Sequence, residues 1–156
     1  CFNIKLDNYI PHWPRVVWIY GFSYYFIFFF LIMSLDSLYQ GLYYIFGTII
    51  LLVIHCLIFY FFPSSVPKSW RKYKKDTKSK KFLAFIQDLD TGRNCMPSMH
   101  MSVATYVSLL LLPVFSYYSY FIILIVALSC LFVKQHQILD IPAGILLGWL
   151  VYFILF

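Results

Sequence analysis

Long apolar stretches, each closed by a proline or a short polar break, dominate this chain and are interrupted by one strongly cationic segment. From about 15 to 35 runs RVVWIYGFSYYFIFFFLIMSL, uncharged between Arg15 and Asp36. About 20 residues at 1.5 Å rise cross a hydrocarbon core of roughly 30 Å, so this run predicts a first membrane span. A second covers about 38–62, with His55 as its sole ionisable group other than tyrosines, and ends at Pro63. A third starts near Pro97 and runs to about 115, a fourth covers about 117–133 and a fifth about 140–156. The short connection at 113–117 makes the third and fourth a hairpin. Residues 1–14, with two prolines, read as a loop or interfacial segment.

Residues 63–97 break the pattern. PSSVPKSWRKYKKDTKSKK is polar and cationic, and in the FLAFIQDLDTG that follows, Phe82, Phe85, Ile86 and Leu89 fall at helical spacing. This predicts a basic interfacial loop with a short amphipathic helix lying along the bilayer, stopped near Gly92. The expectation is an all-α, multi-pass bundle of about five spans, a single integral membrane domain over 1–156. The chain opens on Cys1 rather than Met, so it reads as a fragment, and a sixth span upstream is compatible with it.

Alternation of the spans constrains what can meet. The basic loop after span two defines one membrane face. Span three leaves that face, span four returns to it near Lys134, and span five leaves it again. Segments 95–100 and 134–140, distant in sequence, are therefore expected together. All 12 Lys and Arg residues, from Lys5 and Arg15 through the loop to Arg93 and Lys134, fall on that face or at its edge.

Composition narrows the chemistry. Charged residues make up 12% of the chain, about half the usual fraction of a soluble domain. There is no Glu, and the six carboxylates are Asp7, Asp36, Asp76, Asp88, Asp90 and Asp140. That argues against sites needing several carboxylates, such as a magnesium-dependent transferase or a Glu-based intramembrane protease. No span carries mid-membrane charge, which weighs against an ion or proton path. Nothing points to a nucleic-acid partner, and oligomeric state is not legible. The four cysteines, Cys1, Cys56, Cys95 and Cys130, form no CxxC pair.

Two polar elements stand at the span ends on the basic face. In CMPSMHMSVAT, residues 95–105, Pro97 suits the first turn of a helix whose opening N–H groups make an anion site. Ser98 adds a hydroxyl and His100 sits in the same turn. In VKQHQILDIPAG, residues 133–144, His136 and Asp140 are four apart, so the carboxylate can hold one imidazole nitrogen and leave the other facing a pocket. The plainer reading is that Asp140 N-caps span five. Lys134 supplies a cation. His55 reads as a helix-packing hydrogen bonder, His12 as a solvated interface residue, and Cys95, His100, His136 and Asp140 as a minor candidate for a zinc site.

Pro97-Ser98-Met99-His100, followed by Ser129-Cys130, five residues, His136, three residues and Asp140, resembles the type-2 phosphatidic acid phosphatase superfamily. That superfamily also holds vanadium haloperoxidases and sphingolipid phosphotransferases. Its pattern is K-x6-R-P, then P-S-G-H, then S-R-x5-H-x3-D. Here Met99 replaces Gly, Cys130 replaces Arg, and FFPSSVPKSWR offers Lys68 and Arg71 in place of the first motif. The KQH and DNYIPHWP segments are similar to the branch of inositol phosphorylceramide synthases.

The resemblance implies a metal-independent, cofactor-free lipid-phosphate phosphatase. His136 would attack phosphorus to form a phosphohistidine, Asp140 would orient it, and His100 would protonate the leaving alkoxide. Ser98, Lys134, Lys68 and Arg71 would bind the phosphate. Its partners would be a lipid phosphate and the bilayer, and the active site would lie on the extracytoplasmic face, against the direction in which positive-inside counting points. Two alternatives stay open. One is a phosphotransferase delivering a phospho-headgroup to a hydroxyl acceptor. The other is a non-catalytic lipid-headgroup binder.

Overall fold

The structure, a computed structural model, describes residues 4–90 and 92–156. Cys1 lies outside the described residues. Among them the chain forms α1 (Val17–Met33), α2 (Leu38–Phe61), α3 (Lys78–Leu89), α4 (Met99–Leu110), α5 (Leu112–Phe115), α6 (Tyr120–Phe132) and α7 (Asp140–Leu155), with four short 3-10 turns and no strand. The fold is an all-α multi-pass bundle.

Three stretches are long and apolar enough to cross a membrane: Pro14–Met33, Leu38–Phe61 and Leu112–Phe132. The third and fifth predicted spans are shorter than expected, as Met99–Leu110 and Asp140–Leu155. At 1.5 Å per residue the 16 residues of α7 reach roughly 24 Å, against a core of roughly 30 Å. Both begin at the polar pocket described below, so their first turns serve the site. The predicted hairpin is present: Pro113 falls where α4 gives way to α5, Ser116 turns the chain with φ 51°, and Ser108 Oγ donates to the Ser119 carbonyl at 2.6 Å.

α4 is the centre of the bundle. Met101 through Leu110 are all buried, and α7, α6, α1 and α2 pack around it. α7 comes closest because Gly144 and Gly148 present no side chain. A Cβ at Gly144 would lie 2.5 Å from the Ser98 carbonyl oxygen, and one at Gly148 would collide with that of Ser102. This small-xxx-small spacing lets backbones approach where lipid supplies no hydrophobic drive for helix association. His55, buried in α2, bonds the Leu51 carbonyl through Nδ1 at 2.9 Å and meets Ser102 Oγ through Nε2 at 3.1 Å, tying α2 to α4 as its mid-span position predicts. The outward faces of α1, α2, α6 and α7 expose Phe26, Phe29, Ile49, Ile125 and Ile154 among others, as suits surfaces bathed in lipid.

The amphipathic helix is longer than its apolar spacing suggested. α3 starts at Lys78, capped by Thr77 Oγ1 accepting from Lys80 N. Its buried residues are Leu83, Ala84 and Gln87, while Phe85 and Leu89 are exposed. The helix therefore packs one face on α1, with Trp18 stacked on Phe82 at 4.6 Å, and turns Phe85 and Leu89 outward.

Candidate active site

The two polar segments meet as the alternation of spans requires. Ser98 N donates to the Asp140 carbonyl at 3.1 Å, and the His100 and His136 ring centroids are 5.8 Å apart.

The first segment is positioned by the chain leaving α2. Ser64 Oγ accepts from Cys95 N at 2.9 Å and from Met96 N at 2.8 Å. Ser98 is the N-cap of α4, its Oγ accepting from Met101 N at 3.4 Å. Pro97 thus precedes the cap and is not in the first helical turn, as the sequence had suggested. His100 sits one turn in, with Tyr20 and Tyr24 of α1 stacked on its ring at 4.4 and 4.6 Å. The Tyr20 hydroxyl lies 3.5 Å from its Nδ1.

The second segment is not helical. α6 ends in a Schellman motif: Lys134 N donates to the Leu131 carbonyl at 3.1 Å and Gln135 N to the Cys130 carbonyl at 3.2 Å. That geometry needs a left-handed residue after the helix, a place usually given to Gly. Here Lys134 fills it, with φ 56°. The reversal brings His136 back beside His100 of α4.

His136 Nδ1 is 3.1 Å from the Cys95 carbonyl oxygen and 3.5 Å from Asp140 Oδ2. A carbonyl can only accept, so Nδ1 carries a proton, and in the neutral ring the lone pair is on Nε2. The sequence assigned this orienting role to Asp140 alone; the nearer partner is a backbone oxygen. Asp140 Oδ2 also accepts from Gln137 N at 2.7 Å, bracing the turn before α7. Asp140 is the first residue of α7, whose N-cap is Leu139, so it does not N-cap the helix.

The cations divide. Arg71 donates to the carbonyls of Gln87 at 2.7 Å and Asp90 at 2.6 Å, and to Gln135 Oε1 at 3.2 Å. Arg is a donor only, so the Gln135 amide is fixed with Oε1 toward it and Nε2 away. Among the described residues, neither Gln135 Nε2 nor Arg71 Nε, both buried, has a hydrogen-bond partner. Lys134, also buried, donates from Nζ to the Asp7 carbonyl at 2.5 Å and lies 4.6 Å from the centre of the Trp70 ring. Burial lowers its pKa, opposed by the Asp7 carboxylate. Lys68 is exposed, and among the described residues no hydrogen bond or ion pair joins it to the pocket.

His12 is not solvated as expected. It is half-buried, its ring 5.1 Å from that of Tyr73. Burial lowers its pKa, as do Lys134 and Lys80.

A cleft of about 340 Å³, lined by Tyr20, Gly21, Tyr24, Ile86, Leu89 and Asp90, reaches His100. A larger apolar one of about 700 Å³, between α2 and α7, touches Gln137 and Asp140 but neither of these imidazoles.

Residues 36–156 match the family model of the PAP2 superfamily. The chain belongs to the PAP2 superfamily. No match was found among curated proteins, and none among solved structures. PAP2 membership brings a phosphatase-type activity in general, and the long apolar helices make this member a membrane protein. Sequence reasoning missed Gln135, Tyr20, Tyr24 and the Cys95 carbonyl. The KQH string held a signal for Gln135, whereas the tyrosines lie in α1, outside the PAP2 match, and look like any bilayer aromatic.

Proposed function

We propose that this PAP2 member is a metal-independent lipid-phosphate phosphatase working through a phosphohistidine on His136. The observation that carries the reading is the 3.1 Å approach of His136 Nδ1 to the Cys95 carbonyl oxygen. With Nδ1–H held by the Cys95 carbonyl, the Nε2 lone pair is available for in-line attack on phosphorus, and a second imidazole stands beside it. His100 protonates the leaving alkoxide, which approaches through the cleft between α1 and α3. Asp140 offsets the positive charge that His136 gains on attack. Water then attacks the phosphohistidine and releases phosphate.

The phosphoryl oxygens are held by Arg71, by Gln135 Nε2, by Ser98 and by the opening N–H groups of α4. Gln135 Nε2 and Arg71 Nε are buried donor atoms on two side chains that brace each other, which supports a role in holding an anion. Lys134 adds positive potential from its seat beside Asp7, and the exposed Lys68 belongs to the surface that attracts anionic headgroups. The active face is extracytoplasmic in this reading, with the basic loop there serving phosphate recognition.

The test is phosphate release from a panel of lipid phosphates by purified protein, with and without EDTA. Turnover that survives EDTA, is inhibited by vanadate and leaves an acid-labile phosphoenzyme supports the proposal. Transfer of the phosphoryl group to an added alcohol in preference to water favours the phosphotransferase alternative. Lipid-phosphate binding with no turnover on any substrate makes the chain a headgroup binder. For sidedness, a cysteine at exposed Lys75, with Cys56 changed to Ser, should react with an impermeant reagent in intact cells; reaction only after permeabilisation puts the face in the cytoplasm.

A further inference from the structure

We propose that His100, Cys130 and His136 form a three-ligand site for a soft divalent cation, best matched by zinc, and that its occupation switches the enzyme off. This rests on the same pocket as the phosphatase reading and adds a mode of control to it.

One ligand atom from each of the three side chains lies within 4.8 Å of the other two. Each comes from a different part of the fold: α4, α6, and the turn before α7. Cys130 is fully buried on α6 and is fixed there by packing against α4. Zinc bonds of about 2.0–2.3 Å to nitrogen and sulfur set ligand separations of roughly 3.3–3.8 Å. Side-chain adjustment of about 1 Å therefore closes the site.

The donor set decides which cation fits. Two imidazoles and a thiolate suit zinc, cobalt or cadmium, whereas magnesium and calcium need oxygen ligands that the trio does not offer. The surroundings are those of a metal-bound histidine. His136 Nδ1 faces the Cys95 carbonyl and the Asp140 carboxylate, which orients the ring and leaves Nε2 for the metal. The thiol involved is Cys130 and not Cys95, whose Sγ donates to the Gly92 carbonyl at 3.3 Å. The cleft that reaches His100, lined in part by Asp90, brings one of the three ligands within reach of an approaching ion.

Coordination consumes the lone pair with which His136 would attack phosphorus, and it immobilises His100. Bound metal and phosphoryl transfer are therefore mutually exclusive. Cys130 sits where a cationic side chain would repel a metal; a thiol, losing its proton on ligation, attracts one.

Cobalt(II) titration of the purified full chain in detergent reads the site without any reference to turnover. Thiolate ligation gives a near-ultraviolet charge-transfer band, and tetrahedral cobalt gives visible bands. The expected result is a band that zinc abolishes and that is lost in Cys130→Ser, with visible intensity falling in His136→Ala. In p-nitrophenyl phosphate turnover, zinc should inhibit, EDTA should restore the rate and millimolar magnesium should do neither. Cys130→Ser should raise the inhibitory zinc concentration at least about tenfold. Cys130→Ala gives the same comparison if the serine variant does not fold.

No cobalt band, or a band and a zinc sensitivity that both variants retain, overturns the proposal. Turnover without cobalt binding overturns it while the phosphatase reading stands. Cobalt binding through Cys130 with no turnover on any phosphate supports the site and sinks the phosphatase reading. Activation by zinc overturns both the inhibitory role and the phosphohistidine chemistry.

Discussion

Residues 36–156 and the segment before them contribute to the site in different ways. The matched region carries every group the proposed chemistry uses: Arg71, Ser98, His100, Lys134, Gln135, His136 and Asp140. Residues 4–33 carry none, yet several of those groups rest on them. Asp7, buried, accepts from Ile138 N through Oδ1 at 2.8 Å and from Lys134 through its carbonyl. Trp13 N donates to the Phe132 carbonyl at 3.0 Å, where α6 ends. Tyr20 and Tyr24 stack on His100. Reactive groups can thus be confined to short motifs while their orientation is supplied from elsewhere. Substitutions in the two regions should differ in kind: loss of chemistry in one, loss of geometry in the other.

The largest effect is expected at His136. His136→Ala should reduce phosphate release to background, because the proposed mechanism has no other nucleophile. Thermal unfolding in detergent should change little by comparison. Residual turnover with a phosphoenzyme still formed would move the nucleophile elsewhere and break the division drawn above.

His100→Ala comes next. As a general acid His100 should contribute about 10²–10⁴-fold on alkyl phosphates and far less on p-nitrophenyl phosphate, whose leaving group departs without a proton. Equal losses on the two substrates would show that His100 is not an acid. In both variants the loss is one of chemistry, measured as kcat on a folded protein.

Asp7→Ala tests the other region. The part-buried Ile138 N–H loses its acceptor, which costs up to about 1–3 kcal/mol. Turnover should fall because the turn bearing Gln135 and His136 loosens, and the unfolding temperature should fall with it. Asp7→Asn keeps an acceptor oxygen and should recover much of both. A variant that lost turnover with unchanged stability, and was not rescued by Asn, would instead place the Asp7 carboxylate in the chemistry.

The same contrast explains how much could be read in advance. The all-α multi-pass bundle, the meeting of 95–100 with 134–140, and the pairing of His136 with Asp140 followed from hydropathy and spacing, because membrane crossing leaves few topologies. The shortness of α4 and α7 did not, since apolar runs do not show where a helix gives way to a site. Nor did the true partners of the cations. Lys134 was expected to face phosphate, but its left-handed backbone sends the ammonium to Asp7 and Trp70, a consequence of the Schellman turn that residue type alone does not announce. The Cys95 carbonyl as orienter of His136 was out of reach for a different reason: a backbone oxygen has no sequence signature.

The smallest effect sharpens the comparison most, because it asks whether a residue outside the family match acts on the chemistry through a single atom. Tyr20 stacks on His100, and its hydroxyl stands 3.5 Å from Nδ1. As the imidazolium that protonates a leaving oxygen, His100 donates Nδ1–H to the phenol oxygen, which holds the ring with Nε2–H free for delivery. Tyr20→Phe keeps the stack and removes only the hydroxyl. A hydrogen bond contributes about 0.5–1.5 kcal/mol, which converts to roughly two- to tenfold in rate, and the 3.5 Å separation argues for the lower end. The loss should fall on alkyl phosphates and spare p-nitrophenyl phosphate, since only proton delivery is disturbed. Tyr20→Leu removes the ring as well and should harm both substrates, because His100 then loses part of the wall that holds it. If Tyr20→Phe slowed both substrates equally, the hydroxyl would be serving substrate binding in the cleft. If it slowed neither, the orientation of His100 would be set without the hydroxyl, and the contribution of α1 would reduce to packing.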